Sequence, residues 1–277
     1  MARILIFGLG YTASRIAESL RAASWRVDAT GSAGNLDFGD DAAVLAALAK
    51  ASHVLSSVPP QEDDPVLAHY GEALCGSDKW FGYLSSTGVY GHTKGAYVDE
   101  TAPTGTGRRS KRAAADARWL ELGARVFRLP GIYGPGRNPL ERIRQGKAKR
   151  ISLPGQVFSR VHVDDIVSGV IAALDAPAGA YNFADDFPCS QNLVIEEACR
   201  LLDVEPPPLL TLDEAALSPQ AAAFYSENRR VANGKAKRLL GWRPAYPTFR
   251  EGLRALNAST MPVSANTAPA AERADQR

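Results

Sequence analysis

The sequence predicts an α/β protein, a doubly wound parallel sheet with a small C-terminal lobe. Three observations carry that expectation. Strand-like and helix-like segments alternate from the first residues onward. The strand-like segments are continuous apolar runs, as in strands buried on both faces. A glycine-rich turn joins the first of them to the first helix.

Residues 3–7 form the first strand, and 13–21 a helix with Ile16, Ala17 and Leu20 on one face. A second strand spans 25–30, followed by an Ala/Leu helix at 42–49. The strand at 53–58 stops at Pro59-Pro60, because proline cannot donate to a ladder. A helix at 66–74, a strand at 80–85, a helix at 111–122 and a buried strand at 125–129 continue the alternation. At 130–136 a turn-rich loop, Pro-Gly-Ile-Tyr-Gly-Pro-Gly, interrupts it. A helix resumes at 163–174, with Asp164 and Asp165 placed favourably in its first turn. A strand at 180–184 precedes an amphipathic helix at 192–202, for which Ser190 is a suitable cap. The proline-rich stretch 206–219 is expected to cross the surface. Residues 258–277 lack periodicity and are expected to be a disordered tail. The expected organisation is one domain over 1–257, its large part at 1–135 and 161–176 and its small lobe at 136–160 and 177–257.

The composition excludes several function classes. Hydrophobic content of 45% and charged content of 22% are ordinary for a globular chain of this size. A formal net charge of +2 gives no strong drive toward nucleic acid or anionic membranes. Two basic runs stand out, Arg108, Arg109, Lys111, Arg112 and Arg142, Arg144, Lys147, Lys149, Arg150. Each reads as a solvated face or as a surface turned to an anionic cofactor or substrate. Cys75, Cys189 and Cys199 are too dispersed for a disulfide framework or zinc site, and the four histidines form no metal constellation. No run reaches the ~20 apolar residues of a membrane helix, and the N-terminus is too short for a signal peptide, so a cytoplasmic location is expected.

The loop Gly8-Leu9-Gly10-Tyr11-Thr12-Ala13 leaves a strand and opens a helix, the context a Rossmann-type dinucleotide fingerprint requires. Gly8 permits the tight turn, Gly10 lets the backbone approach a pyrophosphate, and Ala13 packs helix on strand. The cofactor expected is NAD or NADP. Asp28 lies nearly at the right distance from Gly8 to hold a ribose, or is a surface strand residue; Gly31 and Ser32 offer neither an acid nor an arginine. Ser56, Ser57 and Val58 occupy the strand end that usually lines a cofactor cleft.

Further along, Tyr83-Leu84-Ser85-Ser86-Thr87-Gly88-Val89-Tyr90-Gly91 is an apolar strand ending in hydroxyl residues, and Gly107-Arg108-Arg109-Ser110-Lys111 opens the next helix. With Val98-Asp99-Glu100, the run from Arg128 to Arg137, the run from Arg160 to Ile166, and Leu239-Leu240-Gly241-Trp242-Arg243-Pro244, this pattern resembles the extended short-chain dehydrogenases/reductases over about 255 residues. These are also called the NAD-dependent epimerase/dehydratase family. The resemblance implies that Ser86 binds a substrate oxygen and that a Tyr-x-x-x-Lys pair follows, in which the Lys lowers the Tyr pKa. One alignment puts Lys111 at the Lys position and Gly107 at the Tyr position; the other puts Lys111 at the Tyr position and Ala115 at the Lys position. In both the tyrosine is missing.

The resemblance therefore implies Ser86 and Lys111 as catalytic residues, and Thr87, Tyr90, Tyr133 and Arg137 as substrate contacts. Asp37 resembles the acid that touches the adenine, or is a turn acid. Tyr90, Tyr133 and His92 are the groups able to replace the missing phenol. His162 is expected to anchor a helix start, and Trp242 and Tyr246 to lie in the core of the small lobe. The implied function is an NAD(P)-dependent oxidoreductase or epimerase-like protein acting on a small hydroxy, carbonyl or sugar substrate. The alternative is a non-catalytic NAD(P)H-binding regulator. A homodimer through two long helices is common among such proteins, and no nucleic acid, membrane or metal is expected.

Overall fold

The computed structural model describes residues 1–107 and 109–260. The chain runs β1 (Arg3–Phe7), α1 (Tyr11–Ala22), β2 (Arg26–Ala29), α2 (Asp41–Lys50), β3 (His53–Ser56), α3 (Pro65–Leu74), β4 (Trp80–Ser86), a 3₁₀ turn (Thr87–Tyr90), β5 (Tyr97–Val98), α4 (Ser110–Glu121) and β6 (Arg125–Leu129). It continues as β7 (Gly131–Tyr133), α5 (Pro139–Arg144), β8 (Arg150–Ile151), β9 (Arg160–His162), α6 (Val163–Ala172), β10 (Gly179–Asn182), α7 (Gln191–Leu202), β11 (Leu209–Leu210), α8 (Pro219–Tyr225), β12 (Arg230–Val231), α9 (Gly234–Leu240) and α10 (Phe249–Thr260).

Six parallel strands make the main sheet in the order β10-β6-β4-β3-β1-β2. Successive side chains of a strand face opposite sides, so Ile4 and Ile6 meet α1 and α6 while Leu5 and Phe7 meet α2 and α3. Local signals set the helix starts. The Asp64 carboxylate accepts from the Val66 and Leu67 amides ahead of Pro65. Ser190 accepts from the Leu193 amide, the cap expected of it.

Four expectations are corrected. The loop at 130–136 contains β7, which pairs in parallel with β9. The strand at 179–182, assigned by its sequence to the small lobe, is the edge strand of the main sheet, because Gly179 to Asn182 pair with Arg125 to Arg128 of β6. Trp242 belongs to the main core rather than to the lobe: it packs on Phe183 and donates its indole N–H to the Asp165 carbonyl at 3.0 Å. Residues 258–260 extend α10, and the remainder of the expected tail, 261–277, lies outside the described residues, as does Arg108 of the first basic run.

A buried polar knot ties the sheet to α4. Arg128 on β6 grips Asp116 on α4 with two bonds, Nη2 to Oδ1 at 2.7 Å and Nε to Oδ2 at 3.1 Å. Ser85 donates to the same carboxylate at 2.6 Å. The second Arg128 arm donates to the Tyr90 hydroxyl at 3.0 Å, which donates onward to Asn182 Oδ1 at 2.8 Å. Removing one partner strands the other charge in the interior, at a cost of roughly 3–5 kcal/mol, whereas apolar replacement of both can be nearly neutral. In equilibrium denaturation, Asp116→Ala is expected to lose stability in that range, and the double variant Asp116→Leu/Arg128→Met to be more stable than Asp116→Ala. A double variant no better than the single one would contradict this.

Asp185 follows β10 and is buried, with Oδ1 accepting the Phe187 amide at 3.2 Å and Oδ2 without a partner. Burial pushes its carboxyl up to about 7, against the pull of Arg160, with Asp186 and Asp165 adding to the rise. A raised carboxyl pKa contributes stability that is present below the unfolded value and lost as pH climbs through the folded one. Measured against Asp185→Asn, the wild type should lose a few kcal/mol, as an order of magnitude, between about pH 4 and pH 7. A difference that stays flat over that window would contradict the assignment.

Candidate active site

The strand order reverses between β1 and β3, and in open α/β sheets that point opens a crevice at the carboxyl ends of the strands. Gly8 turns the chain there at φ +83°, and a Cβ on it would meet Val58 Cγ2 at 2.9 Å. The turn is braced from both neighbours. Gly8 and Leu9 donate to the Thr30 hydroxyl and carbonyl at 3.1 and 2.9 Å, and the Ser57 hydroxyl donates to the Gly8 carbonyl at 2.5 Å.

Gly10 precedes α1 without any side-chain cap, and a Cβ on it would meet no atom within 4 Å. The first amides of a helix have no intrahelical acceptor. Residues Gly10 to Ala13 border a cleft of about 500 Å³. Open donors, the positive end of a helix dipole and free space above a glycine together fit a dinucleotide's pyrophosphate.

The same cleft runs along Leu84 to Gly88 and Leu129 to Ile132, and its far wall carries Ser159, Phe224, Glu227 and Arg229. The Ser86 hydroxyl accepts from the Gly88 amide at 3.1 Å, and Thr87 is buried beside it. The Arg109 stem lies over Gly88, where a Cβ would sit 2.3 Å from Arg109 Cδ. Arg112 donates to the Tyr83 hydroxyl at 2.8 Å, and Arg229 pairs with Glu227 at 2.8 Å. The Tyr11 hydroxyl donates to the Pro135 carbonyl at 2.9 Å, joining the glycine loop to the segment after β7. Partial burial raises its phenol against the pull of Arg15 and Arg137. A second cavity of about 700 Å³ adjoins the cleft through Gly131, Ile132, Arg137, Phe158, Ser159 and Phe224.

The fold thus brings together Gly10, Tyr11, Thr12, Ala13, Ser57, Ser86, Thr87 and Arg137 from among the residues singled out by sequence. Gly8 and Val58 support the loop from behind, and Ser56 is fully buried with its hydroxyl unpartnered.

Other positions lie off the cleft lining, some of them against expectation. Lys111 lies outside the cleft lining, half exposed, and bonds to Glu62. Tyr90 does not line the cleft, because its hydroxyl is spent inside on Asn182 and Arg128. Tyr133 borders only the second cavity, and its buried hydroxyl rests against Gly252. Asp37 is an exposed turn acid whose carboxylate accepts the Gly39 amide at 3.0 Å. Asp28 is engaged by Arg3 at 2.9 Å and by Asn35 at 3.1 Å. His92 is exposed and accepts from the Asn228 amide.

Arg109, Arg112, Phe158, Ser159, Phe224 and Arg229 line the cleft without having been assigned to it from sequence. The first two sit in a basic run that also reads as a solvated face. The others come from segments that only tertiary folding brings near β4.

The sheet order, the glycine turn and the crossovers define a Rossmann-type α/β fold, the fold of NAD-dependent epimerases and dehydratases. A UDP-glucose 4-epimerase from Thermus thermophilus in complex with NAD superposes with a TM-score of 0.69 at 20% identity, over 94% of this chain and 100% of that one. No family model matches the sequence. A conserved protein of unknown function from Silicibacter pomeroyi superposes with a TM-score of 0.82 at 38% identity, covering 94% of this chain and 99% of the other. The chain belongs to the same family as that protein. It is also 31% identical over 173 residues to the 3-diazoavenalumate denitrifying reductase of a Streptomyces species; the match takes in 57% of this chain and spans about half, 55%, of the reductase.

Gly107 lies against Gly91: a Cβ on Gly107 would stand 2.4 Å from the Gly91 Cα. Backbone cannot yield as a flexible side chain does, so Gly107→Ala is expected to cost roughly 1–3 kcal/mol, read by chemical denaturation. A variant as stable as the wild type would show that the two segments are free to part.

Proposed function

We propose that this chain is an NAD(P)-dependent oxidoreductase that works without an active-site tyrosine. The observation that carries the reading is the continuity of the cleft: open space over Gly10 leads directly to the Ser86 and Thr87 wall. A bound nicotinamide would supply or accept the hydride. The amides at the start of α1 would hold the pyrophosphate, and the hydroxyl-lined end of β4 would face the reacting group. The Ser86 oxygen already accepts the Gly88 amide, so its own proton is available to donate to a substrate oxygen. The reductase name of the Streptomyces relative and the NAD of the Thermus neighbour support the same reading.

Position 107 is glycine, pressed against Gly91, and leaves no room for a phenol without displacing backbone. The Lys111 ammonium is held by Glu62. General acid–base catalysis is typically worth 10²–10⁴-fold, so a substrate that needs a proton delivered in step with hydride would react slowly here. Net oxidoreduction is therefore favoured over epimerisation, which needs proton transfer in both directions at one centre.

Gly10→Val tests the cofactor site, because the new side chain enters space free of protein atoms. The variant should melt as the wild type does and bind NADH or NADPH at least about tenfold more weakly in a calorimetric titration. Unchanged affinity would remove the glycine loop from the binding site.

A further inference from the structure

We infer that the substrate is a planar aromatic carboxylate, its ring against Phe224 and its carboxylate at Arg137, where the two cavities meet. The inference takes its reaction from the oxidoreductase reading above and its ligand class from the junction itself.

The junction is apolar and flat on one side. Phe224 of α8 is stacked on Phe158, with ring centroids 4.6 Å apart and planes at 8°. Phe158 is 7% exposed and Phe224 is 42% exposed, so one ring backs the other and the outer face of Phe224 is presented to the cavities. Tyr225 meets Phe158 edge-on at 5.4 Å and fixes the pair from the side. Ile132 adds apolar surface. Ser159 is the hydroxyl at this point, and its oxygen already accepts the Val231 amide at 2.9 Å. A planar ring stacks on such a wall, as a saturated polyol cannot.

The charge is equally one-sided. Arg137 is exposed, borders both cavities, and has no acidic partner among the described residues. Two neighbouring cations are occupied. Arg160 donates to the Phe158 and Cys189 carbonyls and to Gln191, and Lys149 to the Ala215 carbonyl. Glu141, the acid among the described residues lining the second cavity, accepts from the Gly136 amide and Asn138. An anionic group fits beside Arg137, and a guanidinium pairs a carboxylate with two parallel bonds.

The test is calorimetric titration of the purified chain with 2-naphthoate, alongside 2-naphthamide, cyclohexanecarboxylate and UDP-glucose, with NADPH titrated into the same preparation. The expected result is saturable naphthoate binding that weakens at least about tenfold in Arg137→Met, in Phe224→Ala and for the uncharged amide, with cyclohexanecarboxylate the weaker acid. Phe224→Leu keeps an apolar side chain without a planar face and should show the same loss, which covers the case in which the alanine variant folds poorly. Naphthoate binding that neither substitution moves, absence of naphthoate binding in a protein that binds NADPH, or UDP-glucose binding that depends on Arg137 would each overturn the inference. Naphthoate binding with the expected dependence in a protein that takes no dinucleotide would uphold the ligand class and remove the oxidoreductase reading.

Discussion

The bidentate bond between Arg128 and Asp116 is the constraint on which the site depends. Both groups are almost fully buried, at 4% and 1% side-chain exposure, so neither charge has water to turn to. The pair is completed by Ser85 at the end of β4 and by Tyr90 in the turn that follows. The strand end carrying Ser86 and Thr87 is therefore held from both sides by a network that also reaches β6 and, through Asn182, β10. The Glu100 side chain accepts the Asn182 amide at 2.7 Å and brings the segment after β5 into the same network. A satisfied buried network of this kind specifies one arrangement, because any shift leaves a polar group unpaired.

On that rigid floor the cleft takes its character from backbone rather than from titratable side chains. Gly8 gives the turn, Gly10 leaves room above the helix start, and Gly91 and Gly107 approach closely behind the end of β4. Cations gather around the opening, with Arg109, Arg112, Arg137 and Arg229 all on its walls. Arg229 is neutralised by Glu227, while Arg137 has no acidic partner among the described residues and stands over the Tyr11 ring.

Much of this was legible in the sequence, for physical reasons. Unbroken apolar runs at 3–7 and 125–129 are what a strand covered on both faces requires, and both strands formed within the expected limits. Asp64 before Pro65 and Ser190 before α7 are caps whose chemistry is local. The glycine loop was readable because Gly8 answers a steric demand of the turn itself. What escaped depends on contacts between distant segments. Tyr90 sits within a motif that resembles an active-site turn, and only the fold shows its hydroxyl turned inward to Arg128. Lys111 carries the right residue type, but its partner Glu62 is 49 positions away. Phe158 and Phe224 are 66 residues apart, and nothing in either segment announces that their rings stack on the wall of the cleft. The strand at 179–182 is too short and too polar at its end to reveal that it closes the main sheet.

The most direct test is a crystal structure of the chain grown with saturating NADPH. The pyrophosphate is predicted to lie against the amides of Tyr11 and Thr12, with the nicotinamide end reaching toward Ser86. A dinucleotide bound elsewhere on the surface, or a cleft left empty at saturating concentration, would contradict the account.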